Sequence, residues 1–595
     1  LSETEQPRHR GRRTRRRARA RARRALLAGL VVGSLALLSV GWVGFRGWQA
    51  RTHLLNAAAL AQQLSSEVVG ADTERAQRTL SALQVQAGAA RDATDDPGWW
   101  AGQHAPFAGD DLTAVRQIAV AIDDLAREAF PTLLRTDLST LLPGKGRLDV
   151  RRLKAVAAEL TATNQVVQRT HARLAAVAGE TLVEPVRDAV VELRTQLDQL
   201  ATLTRAADGA ARLLPPLLGA AGPRSYLMVS QNPAELRATG GMFGAYAVIE
   251  ARDGQLRMGT QGTSAQLGLF DPPLKLKPEI RNLYTDLPGM YPADVNLTPH
   301  FPTAAALFRQ MYRKRTGETV DGVLAVDPVV LSYLLKVTGP VPVPGHTTLV
   351  GDKAVRTLLS DAYQRMDAEE QDQFFAASAT AAFDTFFTRE VDPRAYLSAL
   401  DRAITERRVL FWSAHPEEQR VIEANRLAGS LPEKEDVPTV GVFLNDGSGA
   451  KLGYYLRPAA TLTVGQCRPD GRRELRLRFT LHSTAPQRGL STSVLGLGLA
   501  GDPYTARTLV SVYSPAGGAV LRTRLDGEEV AVGSGTERRR QVVVANVEVR
   551  PGGTRTVEVD VLTGRNGSAS DEAELWLTPT ATPWTTHIDS APHCD

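Results

Sequence analysis

The chain is short of the residues that build metal and redox centres. Its 595 residues hold two cysteines, Cys467 and Cys594, which excludes a cysteine-rich metal scaffold. The ten histidines are scattered with no pair at metal-ligand spacing, so no zinc site is expected. No Walker loop, no His-Glu-x-x-His and no Gly-x-Ser-x-Gly occurs, which removes the commonest signatures of P-loop nucleotide hydrolysis, zinc proteolysis and the nucleophile elbow. Gly496-Leu-Gly-Leu-Ala-Gly matches the dinucleotide fingerprint by letter. Asp502-Pro503 follows directly in a β-rich region, so no helix N-terminus stands there to receive a pyrophosphate.

Net charge is also small outside one place. The formal net charge is +5, but residues 1–24 hold eleven Arg and two Glu. With +9 in that tail, the rest of the chain carries −4. A basic tail binds nucleic acid or anionic lipid. Here it abuts an apolar run, which favours the membrane, and no nucleic-acid partner is expected.

That run, Ala25–Phe45, has no charged residue and is rich in Leu, Val, Ala and Gly. About 20 such residues span a bilayer as a helix. The arginines before it, and Trp42 and Trp48 near its far end, place the N-terminus in the cytoplasm and the bulk outside. A signal peptide is the rival reading. The run is long for one, and Val40-Gly-Trp-Val-Gly-Phe45 lacks a clean small-x-small cleavage site.

The expected architecture is therefore multidomain α+β. A cytoplasmic tail (1–24) leads into a transmembrane helix (25–45). Residues 50–218 are rich in Ala, Leu, Arg, Gln and Glu, strong helix formers. Leu60, Leu64 and Val68, and later Leu193, Leu197 and Leu200, recur at helical spacing, so this part reads as a bundle of about four helices with its apolar stripes inward. Residues 224–430 alternate strand and helix and read as an α/β domain. From 437 to 585 helix formers thin out and short Val/Thr/Leu strands alternate with turns at Asp446-Gly, Asp470-Gly, Asp526-Gly and Pro551-Gly-Gly. That pattern reads as a β-sandwich.

One stretch organises the rest. Tyr226–Val229 and Phe243–Ile249 read as buried strands, and the polar segment between them carries Asn232, Glu235 and Arg237 beside Gly240 and Gly241. Paired glycines permit close approach of a backbone or a ligand, and a charged loop at strand ends is a place for a site. Arg237 is thus the leading candidate for gripping an anion. The alternative is an ion pair between Arg237 and Glu235 or another acid.

The segment Asn232-Pro-Ala-Glu-Leu-Arg-Ala-Thr-Gly-Gly-Met-Phe-Gly-Ala-Tyr246 resembles the signature of the bacterial membrane proteins grouped as domain-of-unknown-function family 4012. Asp294-Val-Asn-Leu-Thr-Pro-His-Phe-Pro-Thr-Ala-Ala305 and Val320-Asp-Gly-Val-Leu-Ala-Val-Asp-Pro328, with Thr338-Gly-Pro-Val-Pro-Val-Pro344, fit the same family. The family carries no known activity. More remotely, the α/β domain resembles the LytR-CpsA-Psr enzymes, which move lipid-linked glycopolymers onto the cell wall. Arg237 falls at the Arg of their Arg-x-Asp loop, and Gly351-Asp-Lys-Ala-Val-Arg-Thr-Leu-Leu359 is similar to a later helix. That resemblance implies a magnesium-bound pyrophosphate, with magnesium as cofactor if the chain is a phosphotransferase.

The expected Asp after Arg237 is absent, with Gly240 and Gly241 in its neighbourhood. The family's next Arg-Asp pair is missing between Gly259 and Phe270. Asp271, Asp361 and Arg365 are the residues that can compensate. The partners implied are the lipid bilayer and either a polyprenyl-phosphate-linked glycan or an envelope protein. Three functions follow: a role in assembling or anchoring envelope polysaccharide, a glycopolymer phosphotransferase, or a sensor or scaffold that binds an envelope protein. Cys467 and Cys594 form one disulfide in an oxidising compartment or stay as two free thiols.

Overall fold

The computed structural model describes residues 11–69, 72–135, 147–177, 181–435, 437–565 and 572–589. It divides into two compact units: Leu1–Asp137 with Lys154–Ala211, and Leu138–Leu153 with Arg212–Asp595.

The first unit is helical. Its long helices are Gly11–Val69, Thr73–Thr94 and Gly109–Asp124, with most of Val150–Ala175 and Glu184–Leu217. Asp72 caps the second of these, its carboxylate accepting from Arg75 N at 3.0 Å, which satisfies one of the open N–H groups of the first turn. Small side chains let the helices approach: Ala57, Ala76, Ala87 and Ala126 are buried with Leu64, Leu80 and Leu83. A second cluster joins Ile118, Leu125, Val166, Val167, Leu174, Val190 and Leu197. Trp99 is buried among the helices and donates from Nε1 to Leu112 O at 3.1 Å.

One helix, Gly11–Val69, takes in the tail from residue 11 onward and the expected membrane span. Among the described residues no helix is long and apolar enough to cross a membrane. The side chains of residues 11–33, 35 and 36, and with them the first part of the span Ala25–Phe45, lie outside the described residues. The helical bundle also ends earlier than residue 218 and omits an internal piece. Leu148, Val150, Leu153 and Leu218 share a core with Leu256 in the second unit, and Leu148 N donates to Gly254 O at 2.9 Å.

The second unit holds three sheets. The first has the order β3-β2-β1-β4-β5, built from β1 (Arg224–Asn232), β2 (Met242–Arg252), β3 (Gln255–Thr263), β4 (Gly322–Val326) and β5 (Leu410–Ser413). Only β1 and β4 run parallel. Alternation along β1 divides the core in two. Leu227 and Val229 pack with Phe301, Phe308 and Met311 of the helix Phe301–Thr316. Tyr226 and Met228 pack on the other face with Leu213, Leu217 and Phe383.

The remaining strands form two facing sheets, as expected for residues 437–585. One has the order β11-β10-β14-β8-β7-β16 and the other β12-β13-β9-β6-β15. The first comprises β7 (Leu456–Cys467), β8 (Arg473–Ser483), β10 (Ala519–Leu525), β11 (Glu528–Glu529), β14 (Thr554–Leu562) and β16 (Thr585–Asp589). The second comprises β6 (Thr439–Asp446), β9 (Ala506–Tyr513), β12 (Gly533–Glu537), β13 (Arg540–Val549) and β15 (Glu574–Leu577). Val440, Val442 and Leu444 of β6 meet Leu475, Leu477 and Phe479 of β8 and Val557, Val559 and Val561 of β14 in one core, the period-2 burial that a sandwich requires. Cys467 at the end of β7 is disulfide-bonded, and Cys594 lies outside the described residues.

Candidate functional site

The loop between β1 and β2 is where the anion site is expected, and every residue from Gln231 to Gly241 is buried. Its path is set locally. The Asn232 side chain accepts from Ala234 N at 3.1 Å, Glu235 N donates to Asn232 O at 3.0 Å, and Met242 N donates to Glu235 O at 2.9 Å. Gly240 has a φ of +141°, a region that only glycine enters without cost. A Cβ on Gly241 would lie 2.1 Å from the carbonyl carbon of Asn232. The glycines therefore let the chain close on itself. The room expected for a ligand is filled by the loop's own backbone.

The loop's outer side is covered by the sandwich. Gly453 N donates to Ala234 O and Asp446 N to Leu236 O, both at 2.8 Å. Asn445 accepts from Ala238 N at 2.9 Å, and Thr578 Oγ1 donates to Ala238 O at 3.0 Å. Backbone groups that a solvent-facing loop would leave to water are thus spoken for by β6 and its neighbours.

Arg237 is enclosed with its counter-ions. Nε and Nη2 donate to Asp294 Oδ1 at 2.9 and 2.7 Å. Nη2 also donates to Glu235 Oε1 at 3.2 Å, and Nη1 to Leu236 O at 2.8 Å. Lys451 Nζ lies 3.4 Å from the other oxygen of Glu235. Burial by itself pulls the Arg237 guanidinium down, and the charges of Asp294, Glu235 and Asp446 reverse this and leave it raised. Burial pushes the Asp446 carboxyl up to about 6, against the hydrogen bond from Ser448 and the charge of Arg237. Asn232 Nδ2 donates to the Tyr363 hydroxyl at 2.7 Å.

The other expected site residues do not join this cluster. Asp361 pairs with Arg356 at 3.4 Å and, more loosely, with Arg365 at 3.8 Å. The Arg365 side chain is 72% exposed. The carboxylates nearest Arg237 are committed to it and to Lys451. Among the described residues no group of three or more His, Cys, Asp or Glu is placed to hold a metal ion. The donor set therefore does not fit the magnesium that the remoter resemblance implies.

The same closure holds beside β4. Asp327 follows its last residue, accepts from Val329 N and Val330 N at 2.9 and 3.0 Å as the cap of the helix Pro328–Thr338, and pairs with Arg408 at 2.7 Å. Arg408 in turn donates from Nη2 to Thr580 O at 3.0 Å. Ligands of open α/β sheets bind outside the carboxyl ends of parallel strands, and here those ends meet the sandwich.

At the opposite end of the strands, Ser413, His415 and Asp321 come together. His415 Nε2 lies 2.8 Å from Asp321 Oδ1, but Ser413 Oγ donates to Glu418 Oε2 at 2.6 Å and not to the imidazole. Arg224 joins Asp321 and Glu418 at 3.3 and 3.0 Å. The group is an ion cluster without a nucleophile-to-base contact. In the loop site, Asp294, Asp446 and Lys451 are the residues that a reading of the sequence misses. Asp294 sits in one of the segments quoted for the resemblance, yet nothing in its spacing pairs it with Arg237 across 57 positions.

Residues 221–363 match the family model described as a protein of unknown function (DUF4012). No curated protein matches the chain, and no solved structure does.

Proposed function

We propose that the chain is a single-pass protein of the cell envelope, with its N-terminus in the cytoplasm and its bulk outside, that serves as a non-catalytic scaffold in assembling or anchoring envelope polysaccharide. The observation that carries the scaffold reading is the burial of Gln231–Gly241, with Arg237 between Asp294 and Glu235. A phosphotransferase needs an open cationic edge and a carboxylate to hold its metal. In this reading a LytR-CpsA-Psr-like framework has given up its ligand edge to a permanent partner, the sandwich.

The membrane part rests on the uncharged run Ala25–Phe45 behind eleven arginines. It is supported by Leu37, Leu38, Val40, Trp42, Phe45 and Trp48, all large apolar side chains left exposed on one helix. Contiguous apolar surface of this kind marks an interaction with membrane or protein, and tryptophans favour the bilayer interface. The test is twofold. A reporter active only outside the cytoplasm is expected to work when fused after Asp595 and to fail when fused before Ala25, and the reverse pattern overturns the localisation. Loss of the chain is expected to release envelope polysaccharide into the medium. Glycan transfer from a polyprenyl pyrophosphate by the purified protein, abolished by Arg237→Lys, would establish the phosphotransferase reading instead.

A further inference from the structure

Among the described residues, no acceptor meets the enclosed Nε and Nη1 of Arg407. Arg407 lies between the helix Pro393–Thr405 and β5, with a φ of +58°, a left-handed conformation that costs a residue bearing a side chain. The turn is held by Arg407 N donating to Ile404 O at 2.9 Å and Arg408 N to Ala403 O at 2.8 Å. Arg408 goes to Asp327 and Glu406, at 2.7 Å each. Arg407 goes to the seam between the first sheet and the sandwich, its guanidinium 4.4 Å from the Trp576 ring centre and 5.6 Å from that of Phe443. It is 5% exposed, and its Nε and Nη1 are fully enclosed with no hydrogen bond.

The charge acting on Arg407 is another cation, Arg426; burial first and that charge second pull its guanidinium down to about 9, which leaves it cationic at neutral pH. The two rings attract the guanidinium through their π-systems. They do nothing for the N–H groups, which point outward in its plane. Arg540, fully buried, differs in having Glu435 as its counter-ion and the carbonyls of Thr439, Ser514 and Pro432 as acceptors, with its Nε alone enclosed and unmatched. The acid beside the seam is Glu574, whose carboxylate accepts from Arg426 Nη2 at 2.8 Å and from Trp576 Nε1 at 3.2 Å. Arg426 and Glu574 are half-exposed, so the seam opens to solvent on their side.

We propose that Arg407 and Arg426 form the receptor of an oxyanion site at this seam, and that the group it takes is a phosphate. The enclosed N–H edge of Arg407 is the inner wall, the Trp576 ring the floor, and Arg426, turning from Glu574, the outer wall. Two guanidinium forks match a tetrahedral group with several free oxygens. The phosphate belongs either to a small soluble ion or to a lipid headgroup. This site is separate from the Arg237 loop and does not rest on the scaffold reading.

The test uses the full chain in detergent, titrated at constant ionic strength with inorganic phosphate or with dihexanoyl phosphatidic acid below its micelle concentration, chloride being the reference. Thermal midpoint and calorimetric heat are the readouts. Saturable stabilisation is expected, with half-saturation moved up roughly tenfold to a hundredfold by Arg407→Met, the size of a lost charge-assisted contact. Arg426→Met is expected to weaken it less. Glu574→Gln is expected to tighten it, because a competing carboxylate is gone; with Arg426→Met, it keeps the test decisive if Arg407→Met does not fold. Saturation by the lipid at far lower concentration than by inorganic phosphate assigns a headgroup, and equal or weaker saturation assigns the soluble ion. The proposal is overturned if neither phosphate gives a saturable effect beyond chloride. It is equally overturned if the variants that fold bind as the parent does.

Discussion

Arg237 and Arg407 are buried alike, at 7% and 5% exposure, at the same end of the strands of one sheet, and their surroundings are opposite. Arg237 lies among Glu235, Asp294 and Asp446, and its guanidinium is raised. Arg407 lies against Trp576 and Phe443 with Arg426 for a neighbour, and its guanidinium is lowered. The first is an internal tie whose charge is spent inside the protein. The second still has donors to give. A buried arginine marks a ligand site only when its counter-charge is missing, so the residue that looks functional in the sequence and the one that looks functional in the structure differ.

The comparison breaks most sharply at Arg237. Arg237→Met leaves the partly buried Asp294 without its cation and Glu235 with Lys451 alone, and is expected to cost about 3 kcal/mol; denaturant unfolding measures it, and a loss below 1 kcal/mol would mean that the ion pairs are dispensable. Gly241→Ala comes next. The added Cβ meets backbone at 2.1 Å, which no side-chain rotation relieves, and roughly 2–3 kcal/mol is expected from overpacking in the same assay.

Arg407→Met is expected to behave differently from Arg237→Met. In phosphate-free buffer it removes a charge that no carboxylate answers, so the thermal midpoint should hold or rise, within about 1 kcal/mol of the parent. A loss as large as that of Arg237→Met would make the two arginines equivalent structural ties.

Titration sharpens the comparison further. The Asp446 carboxyl, raised from 3.8 to about 6, holds its proton more tightly in the folded protein. Its contribution is therefore intact below pH 3.8, falls as pH rises towards 6 and stays lost above that. Asp446→Asn should flatten that slope, and Arg237→Met should move the window to higher pH, because the cation that favours the ionised form is gone. His300 has the opposite sign. Burial, with the charges of Arg538 and Lys277, holds its imidazole down to about 3, so the stability it contributes is complete above pH 6.5 and is lost as pH falls from there towards 3. His300→Asn should remove that acid-side loss, read as the thermal midpoint between pH 4 and 7. The smallest effect belongs to Arg365→Ala. Its side chain is 72% exposed and its acid is 3.8 Å away, so the change should stay within about 0.5 kcal/mol.

The sequence by itself determined the local periodicities and therefore the elements. Alternation of apolar residues in Glu474–His482, Val542–Val549 and Arg555–Leu562 marks strands that form as β8, β13 and β14. Pro302 stands in the first turn of the helix Phe301–Thr316, where its fixed φ suits a helix start. These features depend on neighbours one to four positions away, and those are legible in a chain. Tertiary structure alone decided what the loop at Arg237 is for. Asp294 stands 57 positions from it, and Asn445, Asp446 and Lys451 arrive from the sandwich. The same holds for Arg407: its letters are those of Arg408 beside it, and only the packing of Phe443 and Trp576 separates a paired cation from one without a partner. Burial and counter-charge are properties of long-range neighbours, set when the two parts of the second unit close on one another, and no spacing along the chain encodes them.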